Sequence, residues 1–376
     1  MKHDSCHQAL VRRGTALEIA SVPTPSPEAG GLLIAPSFVG VCGTDLQILN
    51  GSRPDTAEIL GHEGAGLILE AGHGAALSEG EYVVFNPSAQ LPAGRILGHN
   101  VPGLFQRCYA VDAQAVSDGL VMPVETGLPP LCGALVEPLG GVIYAYELIS
   151  RAVPNLRAAV IFGAGPIGLV FAEYLQQYGV RVLLVHTTQG RLDTAVQLGL
   201  VEPNATMTAS DDLTERILAW NDGAPLDTAV ICTSMRGAQV ALKHAVAVLK
   251  DGGCVEMVTN FPATSITPPG ITAEAIRAVR ASNVCGMPPE GNYVTAEIAG
   301  RRIVFTGHRG TSREHFVQAM RVLRSRTSRY TAMITHILPL EDAAEAIGRL
   351  AHTRGVSIDG KDCIKAVVDL TAHSSS

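Results

Sequence analysis

The sequence predicts an α/β protein in two parts, a doubly wound parallel sheet preceded by a barrel-like β domain. After Pro154, apolar runs of strand length alternate with helical stretches, which implies a parallel sheet with helices on both faces. Before about Val142, short strands are broken repeatedly by Gly and Pro, as in small β barrels. A glycine-rich hexad joins the first strand of the alternating region to its helix. The 376 residues suit two domains, and 47% hydrophobic residues allow a sizeable core without covalent staples.

In the first part, Gly31-Leu32-Leu33-Ile34-Ala35-Pro36, Gly66-Leu67-Ile68-Leu69-Glu70 and Tyr82-Val83-Val84-Phe85 read as strands. A helix is expected to begin near Leu135 and run through Tyr144 to Leu148. In the second part, strands are expected at Ala159–Phe162, Val180–Val185, Thr228–Cys232 and Cys254–Val258. Helices are expected near Ile167–Tyr178, Gly190–Leu198, Leu213–Ala219 and Ala238–Leu249, with a closing strand near Arg302–Thr306. The segment Pro262 to Gly291 is rich in Pro and Ala and looks inserted before that last strand, with an extra helix at Thr272–Ser282. Two further helices, near Arg313–Leu323 and Leu340–Ala351, precede a final strand at Ile364–Leu370, and the tail from Thr371 to Ser376 is expected to be loose.

The hexad is Gly163-Ala164-Gly165-Pro166-Ile167-Gly168, directly behind the run Ala158–Phe162. Strand, glycine turn and helix in that order form the phosphate grip of a dinucleotide-binding unit. Gly163 allows the tight turn, Gly165 lets backbone approach a pyrophosphate, and Gly168 lets the helix pack on the strand. Free N–H groups and the positive end of the helix dipole would then meet the phosphates. The blander reading is a strand-to-helix turn that merely needs glycine.

Bulk properties exclude several roles. A net charge of −7 and a pI near 5.9 argue against nucleic acid or an anionic membrane as partner. The apolar stretch from Ala158 to Ala172 is broken by three glycines and a proline, so it reads as strand plus helix rather than a membrane span. The start, Met1 to His7, lacks the apolar core of a secretory signal. Eight scattered cysteines form no close pair, so reduced thiols in the cytoplasm are the expectation.

Three patches carry metal-capable side chains: Gly40–Asp45 with Cys42, Gly61–Gly66 with His62 and Glu63, and Val136–Leu139 with Glu137. Each is expected at a turn or element end, where ligands can converge. Thiolate, imidazole and carboxylate suit zinc, and a catalytic zinc keeps one position open. Any one patch alone is ordinary, since a lone Cys is usually a small core hydrophobe. Their combination upstream of a dinucleotide turn is what carries weight.

With these residues in order, the chain resembles the zinc-dependent medium-chain dehydrogenase/reductase family over nearly its whole length. Cys42-Gly43-Thr44-Asp45, Gly61-His62-Glu63, Glu137-Pro138, the glycine turn, Leu249-Lys250-Asp251-Gly252-Gly253 and Ile334-Thr335-His336 followed by Leu340 and Glu345-Ala346 all fit. Glu137 in a Glu-Pro pair is most similar to the polyol and threonine dehydrogenase-like branch. The resemblance implies a GroES-like β-barrel catalytic domain at residues 1–152, a Rossmann domain at 153–308 with the insert at about 262–291, and a return to the catalytic domain at 309–376. It places the active site in the cleft between the domains and implies a homo-oligomer, dimer or tetramer. It further implies that Cys42, His62 and Glu63 ligate zinc and that Glu137 is a fourth ligand or the partner of zinc-bound water. Thr44 would take the alcohol proton, and Asp45 would orient a histidine ligand.

The pattern departs from the family in three places. Gln47 stands where relatives often carry a relay histidine, and glutamine does not titrate near neutral pH. His99 is a candidate replacement, though a surface histidine is the plainer reading. The stretch Asn86 to Gln106 has no cysteine, so one catalytic zinc and no structural zinc are expected. The acid that usually ends the second Rossmann strand and binds the NAD ribose is missing. The strand runs instead into His186-Thr187-Thr188-Gln189-Gly190-Arg191. Thr187, Thr188 and Arg191 could bind a 2′-phosphate, so NADP(H) is favoured over NAD(H). The backbone of Cys232-Thr233-Ser234, after a strand end, is expected to border the cofactor.

The resulting expectation is a zinc-dependent NADP(H) oxidoreductase interconverting an alcohol and a ketone on a small polyhydroxylated substrate of sugar, cyclitol or aminocyclitol type, acting as a biosynthetic ketoreductase. The rivals are a zinc-free enone or quinone reductase of the same fold and a non-catalytic nucleotide-binding redox sensor.

Overall fold

The computed structural model describes residues 4–353 and 357–371. Two compact units are present, one built from residues 1–140 with 311–376 and the other from residues 141–310. The expectation of a loose tail falls, beyond Thr371, outside the described residues.

The first unit begins with a hairpin, β1 (Cys6–Arg13) and β2 (Ala16–Pro23), paired antiparallel in full register. There follow β3 (Leu32–Gly40), the short helix α1 (Gly43–Leu49), β4 (Glu63–Ala71), β5 (Tyr82–Phe85), β6 (Tyr109–Val111), α2 (Ala113–Ser117), β7 (Val121–Pro123) and α3 (Gly133–Ala152), whose residues from Gly141 onward belong to the second unit. The second unit contains β8 (Ala158–Phe162), α4 (Pro166–Gln177), β9 (Arg181–His186), α5 (Gln189–Gln197), β10 (Thr206–Thr208), α6 (Leu213–Trp220), β11 (Leu226–Ile231), α7 (Met235–Val248), β12 (Leu249–Met257), α8 (Ala273–Ser282), β13 (Val294–Ile298) and β14 (Arg301–Thr306). The chain then rejoins the first unit through α9 (Arg313–Ser325), α10 (Thr327–Thr331), β15 (Ile334–Pro339), α11 (Leu340–His352), β16 (Ser357–Ile358), β17 (Lys361–Asp362) and β18 (Lys365–Asp369).

The sheet of the first unit runs β15-β18-β3-β4-β5-β7, with β6 also paired to β3. The hairpin closes onto it through isolated bridges at Ala9–Gln106 and Val11–Ile59. In the centre, Gly40 of β3 lies opposite Glu63 of β4 on one side and Val367 of β18 on the other. This register brings residues more than 300 positions apart to one place.

The sheet of the second unit runs β10-β9-β8-β11-β12-β14-β13, parallel except for the edge strand β13. Its central strand β8 is buried at every position, which explains why Ala-Ala-Val-Ile-Phe shows no polar alternation. The strand order reverses between β8 and β11, the place where ligands settle in doubly wound sheets. Asp227 anchors the opposite edge, accepting from the backbone N–H groups of Arg157 at 2.7 Å and Ala158 at 2.9 Å and pairing with Lys250.

The helix from Pro130 to Ala152, rather than the β8–α4 stretch, is long and apolar enough to cross a membrane by length and composition. Its most apolar window is 78% buried inside the fold, which is the behaviour of a core helix.

Candidate functional site

The glycine turn lies at the C-terminal end of β8 and leads into α4, whose first residue is Pro166. Gly163 has φ +117°, and a Cβ there would lie 2.6 Å from the Cys232 carbonyl oxygen. A Cβ on Gly168 would lie 1.8 Å from the Gly163 carbonyl oxygen, so helix and turn touch backbone to backbone. Gly165 differs, because nothing lies within 4 Å of the Cβ it lacks. Its missing side chain leaves open space at a helix N-terminus, which is the shape a pyrophosphate needs. Ile167 follows in the first turn of α4.

In the other unit, Cys42 is the N-cap of α1, and His62 and Glu63 stand at the start of β4. Ligand atoms of Cys42, His62 and Glu63 all lie within 4.8 Å of one another. One buried carboxylate holds this group together. Asp45 Oδ2 accepts from the Cys42 N–H at 2.8 Å, and Oδ1 accepts from the Gly61 N–H at 3.1 Å. The same Oδ1 stands 3.3 Å from His62 Nδ1, a charge contact between two buried groups. The capping box that starts α1 is therefore also the brace of the ligand group.

The electrostatics of this group favour a cation. Burial, and then the Glu63 carboxylate, push the Cys42 thiol above its ordinary pKa, with His62 opposing. Burial and Glu63 likewise push Glu137 up to about 7, against His62 and Lys365. Burial would depress His62, but Asp45 and Cys42 overcome it and hold the imidazole well above its usual value. Burial would raise Asp45, but His62 and the two backbone donors bring it below its usual range. With Glu63 repelling both the Cys42 thiolate and the Glu137 carboxylate, this set of sulfur, nitrogen and oxygen donors fits a divalent zinc, whose charge would favour their deprotonated forms.

Glu137 departs from the sequence expectation. It sits in the second turn of α3 rather than at an element end, because α3 begins at Gly133 and carries Pro138 inside it. It is half-buried and outside the 4.8 Å group, yet close enough to feel Glu63, His62 and Lys365. His99 is not a surface histidine. Its ring packs 4.8 Å from that of His62, and its Nδ1 meets the Leu97 carbonyl at 3.0 Å. The loop that buries it leaves no periodic trace in sequence. Thr44 and Gln47 are half-buried on α1, whose N-cap is Cys42.

Comparison with known proteins agrees with this geometry. The alcohol dehydrogenase GroES-like domain family matches residues 28–121. The L-galactonate-5-dehydrogenase of Escherichia coli is 25% identical over 364 residues, 92% of this chain and 93% of that protein. These matches make the chain similar to the zinc-type medium-chain dehydrogenase/reductase family and support that family for it. A second relative, the 2-dehydro-3-deoxy-L-galactonate 5-dehydrogenase of Pseudoalteromonas atlantica, is 29% identical over 213 residues, 52% of this chain and 60% of that protein. A zinc-binding dehydrogenase of Sinorhizobium meliloti 1021 bound to NADP has the same fold, with a TM-score of 0.72, 19% identity and coverage of 97% of this chain and 100% of its own. The fold is that of a GroES-like domain with a Rossmann-type parallel sheet, and the protein is an oxidoreductase of the alcohol dehydrogenase kind.

The residues after β9 take unequal positions. His186 Nδ1 accepts from the Ala164 N–H at 3.3 Å, which ties the second strand to the glycine turn. Thr187 and Thr188 are exposed, and Thr188 is the N-cap of α5 without a side-chain capping bond. Arg191 is only 6% exposed. The Thr233 backbone abuts Gly163, and its carbonyl accepts from Thr259 Oγ1 at 2.5 Å.

Sequence reasoning missed Lys365. Its ammonium pairs with Glu63 Oε2 and donates to the Val41 carbonyl at 3.1 Å, with both side chains of the ion pair almost fully buried. A single lysine 302 positions from its partner gives no signal in one sequence.

Proposed function

We propose that this protein is a zinc-dependent, NADP(H)-linked ketoreductase that interconverts a secondary alcohol and a ketone on a small polyhydroxylated substrate of sugar, cyclitol or aminocyclitol type, in the biosynthetic direction. The observation that carries the reading is the thiol, imidazole and carboxylate gathered within 4.8 Å under the Asp45 brace. A zinc-free enone or quinone reductase has no use for such a set. The galactonate dehydrogenase of E. coli, matched along nearly its full length, supports a polyhydroxylated substrate.

Cys42, His62 and Glu63 would hold the metal, with Glu137 as fourth ligand or as partner of a metal-bound water. Bound there, zinc would supply Lewis acidity to a carbonyl or alcohol oxygen while the nicotinamide supplies or accepts the hydride. The chain's own residues then orient and move the proton. The Asp45 carboxylate, 3.3 Å from His62 Nδ1, would orient that ring by charge. The Thr44 hydroxyl takes the proton of the substrate alcohol, or returns it in the ketone direction. Gln47 cannot pass that proton on by titrating, so the route to solvent runs through other groups. Lys365 pairs with Glu63 and offsets its buried negative charge.

For the cofactor, Gly163, Gly165, Pro166, Ile167 and Gly168 would cradle the pyrophosphate, and the Thr233 backbone would line its path. His186, Thr187 and Thr188 would receive the 2′-phosphate of NADP, with no carboxylate at the strand end to repel it. Arg191, nearly covered in this structure, would assist from α5. The eight free cysteines fit a reducing compartment such as the cytoplasm, and a dimer or tetramer is proposed.

The test is steady-state kinetics on a panel of ketosugars and ketocyclitols with NADPH and NADH. The reading predicts turnover, at least about tenfold preference for NADPH in kcat/KM, and loss of activity on chelation. Turnover unaffected by chelation, or a tenfold preference for NADH, would overturn the corresponding part.

A further inference from the structure

The second unit carries a cavity of about 390 Å3 at the C-terminal end of β12, lined by Thr259, Asn260 and the face of α8 that bears Glu274, Arg277 and Arg280, together with Arg309. Glu274, Arg277 and Arg280 are spaced three apart, so one helix face presents them together. Three arginines against one glutamate make the lining basic in a chain that is acidic overall. Neither Arg277 nor Arg309 makes an ion pair among the described residues. Arg280 is the charged group acting on the buried Glu256, whose carboxyl is pushed by burial up to about 8. At neutral pH that carboxyl is chiefly protonated and does not cancel the guanidinium.

The cavity is held in shape. The Arg309 N–H donates to the Asn283 carbonyl at 2.8 Å, and the Arg309 carbonyl accepts from the Cys285 N–H at 2.9 Å. The fully buried Asn283 side chain donates to the Gly307 carbonyl at 2.9 Å and accepts from the Asn292 N–H at 2.7 Å. The C-terminal end of α8 is thereby fixed to the segment that carries Arg309. On the other wall, Thr259 Oγ1 bonds to the Thr233 carbonyl at the end of β11. The cavity therefore opens on the same sheet edge as the glycine turn. In a doubly wound sheet the strand after the glycine turn serves the adenosine half of the cofactor, which leaves the β11–β12 side to the nicotinamide half.

We propose that this cavity seats the anionic group, carboxylate or phosphate, of a polyhydroxylated substrate, with Arg277 and Arg309 making charge-assisted hydrogen bonds to it. The proposal rests on the alcohol–ketone reading and narrows it to acidic substrates. The helix that supplies Arg277 belongs to the segment 262–291, so the insert acquires a role in substrate choice.

Isothermal titration of the zinc-replete protein saturated with NADPH tests it, using D-gluconate, D-sorbitol 6-phosphate and uncharged D-sorbitol as probes. At least one anionic probe should bind about tenfold more tightly than sorbitol, and its chemistry tells carboxylate from phosphate. The double variant Arg277→Gln/Arg309→Gln should lose that advantage while NADPH affinity stays within about twofold. Both residues are exposed, and an unchanged melting temperature confirms that the variant folds. Anionic probes that bind no better than sorbitol, or that bind the double variant as well as the parent, would overturn the proposal. Anion binding lost in the variant without turnover of any ketone would keep the arginine site and sink the alcohol–ketone reading. Turnover of neutral ketoses alone would do the reverse.

Discussion

Lys365 reaches across strand β3 to pair with Glu63, and Gly40 is the residue that lets it pass. A Cβ on Gly40 would stand 2.7 Å from Glu63 Oε2 and 2.8 Å from Lys365 Cε. Gly40→Ala therefore forces the two charges apart in a buried place, and we expect a loss of about 1–3 kcal/mol from the overpacking alone. Lys365→Met should cost more, about 3–5 kcal/mol, since it leaves Glu63 buried without its cation. Urea denaturation of the zinc-free proteins measures both. A Lys365→Met variant as stable as the parent would show that the pair is not a structural element.

Asp45 braces the Cys42, His62 and Glu63 group without belonging to it. Asp45→Asn keeps the shape but offers only one accepting atom to Cys42 N, Gly61 N and His62 Nδ1. Loss of such a supporting carboxylate typically weakens metal affinity by about 10–100-fold. Competition with a chromogenic chelator gives the number. Zinc affinity within twofold of the parent would remove Asp45 from the account.

Gly165 and Gly168 of the glycine turn should separate by phenotype. Gly168→Ala puts a methyl group 1.8 Å from a carbonyl oxygen, so the turn must open and the fold should lose about 1–3 kcal/mol or more. Gly165→Ala meets no atom of the chain within 4 Å and should fold normally. Its methyl group should instead occupy the pyrophosphate's space and weaken NADPH binding at least about tenfold. Fluorescence titration of NADPH beside thermal melts distinguishes the two. Normal NADPH binding by Gly165→Ala would mean the dinucleotide lies elsewhere.

Glu256 makes stability depend on pH. Neither carboxylate oxygen has a hydrogen-bond partner, and burial raises the folded-state pKa from 4.5 to about 8. The folded protein holds this proton more tightly than the unfolded chain. The stabilisation is complete below pH 4.5 and is lost as pH rises through 8. Relative to Glu256→Gln, the parent should lose on the order of 3–5 kcal/mol between about pH 4 and pH 9. Parallel melting curves for the two proteins over that range would contradict it.

The parts legible in sequence were those with local causes. The glycine turn, the buried run of β8 and the alternation after it need only neighbouring residues, and α8 begins at Ala273 within the expected Thr272–Ser282. Cys42, His62 and Glu63 could be paired through their order in the chain, and the fold brings them together. What stayed hidden depends on long-range register. Lys365 meets Glu63 only because β18 and β4 flank β3. His99, half-buried in a loop with no period, meets His62 ring to ring only through the fold. The hairpin strand β2 is too exposed on both faces to alternate clearly, and α1 is a seven-residue helix whose capping residues look like a turn.

Zinc content measured by inductively coupled plasma mass spectrometry, on the parent and on Cys42→Ser purified side by side with a ketone-reduction assay, bears most directly on the central claim. The account predicts one equivalent of zinc per parent chain, and a Cys42→Ser protein that folds but has lost both the metal and the activity. A Cys42→Ser protein that keeps full activity, or an active parent that holds no zinc, would contradict it.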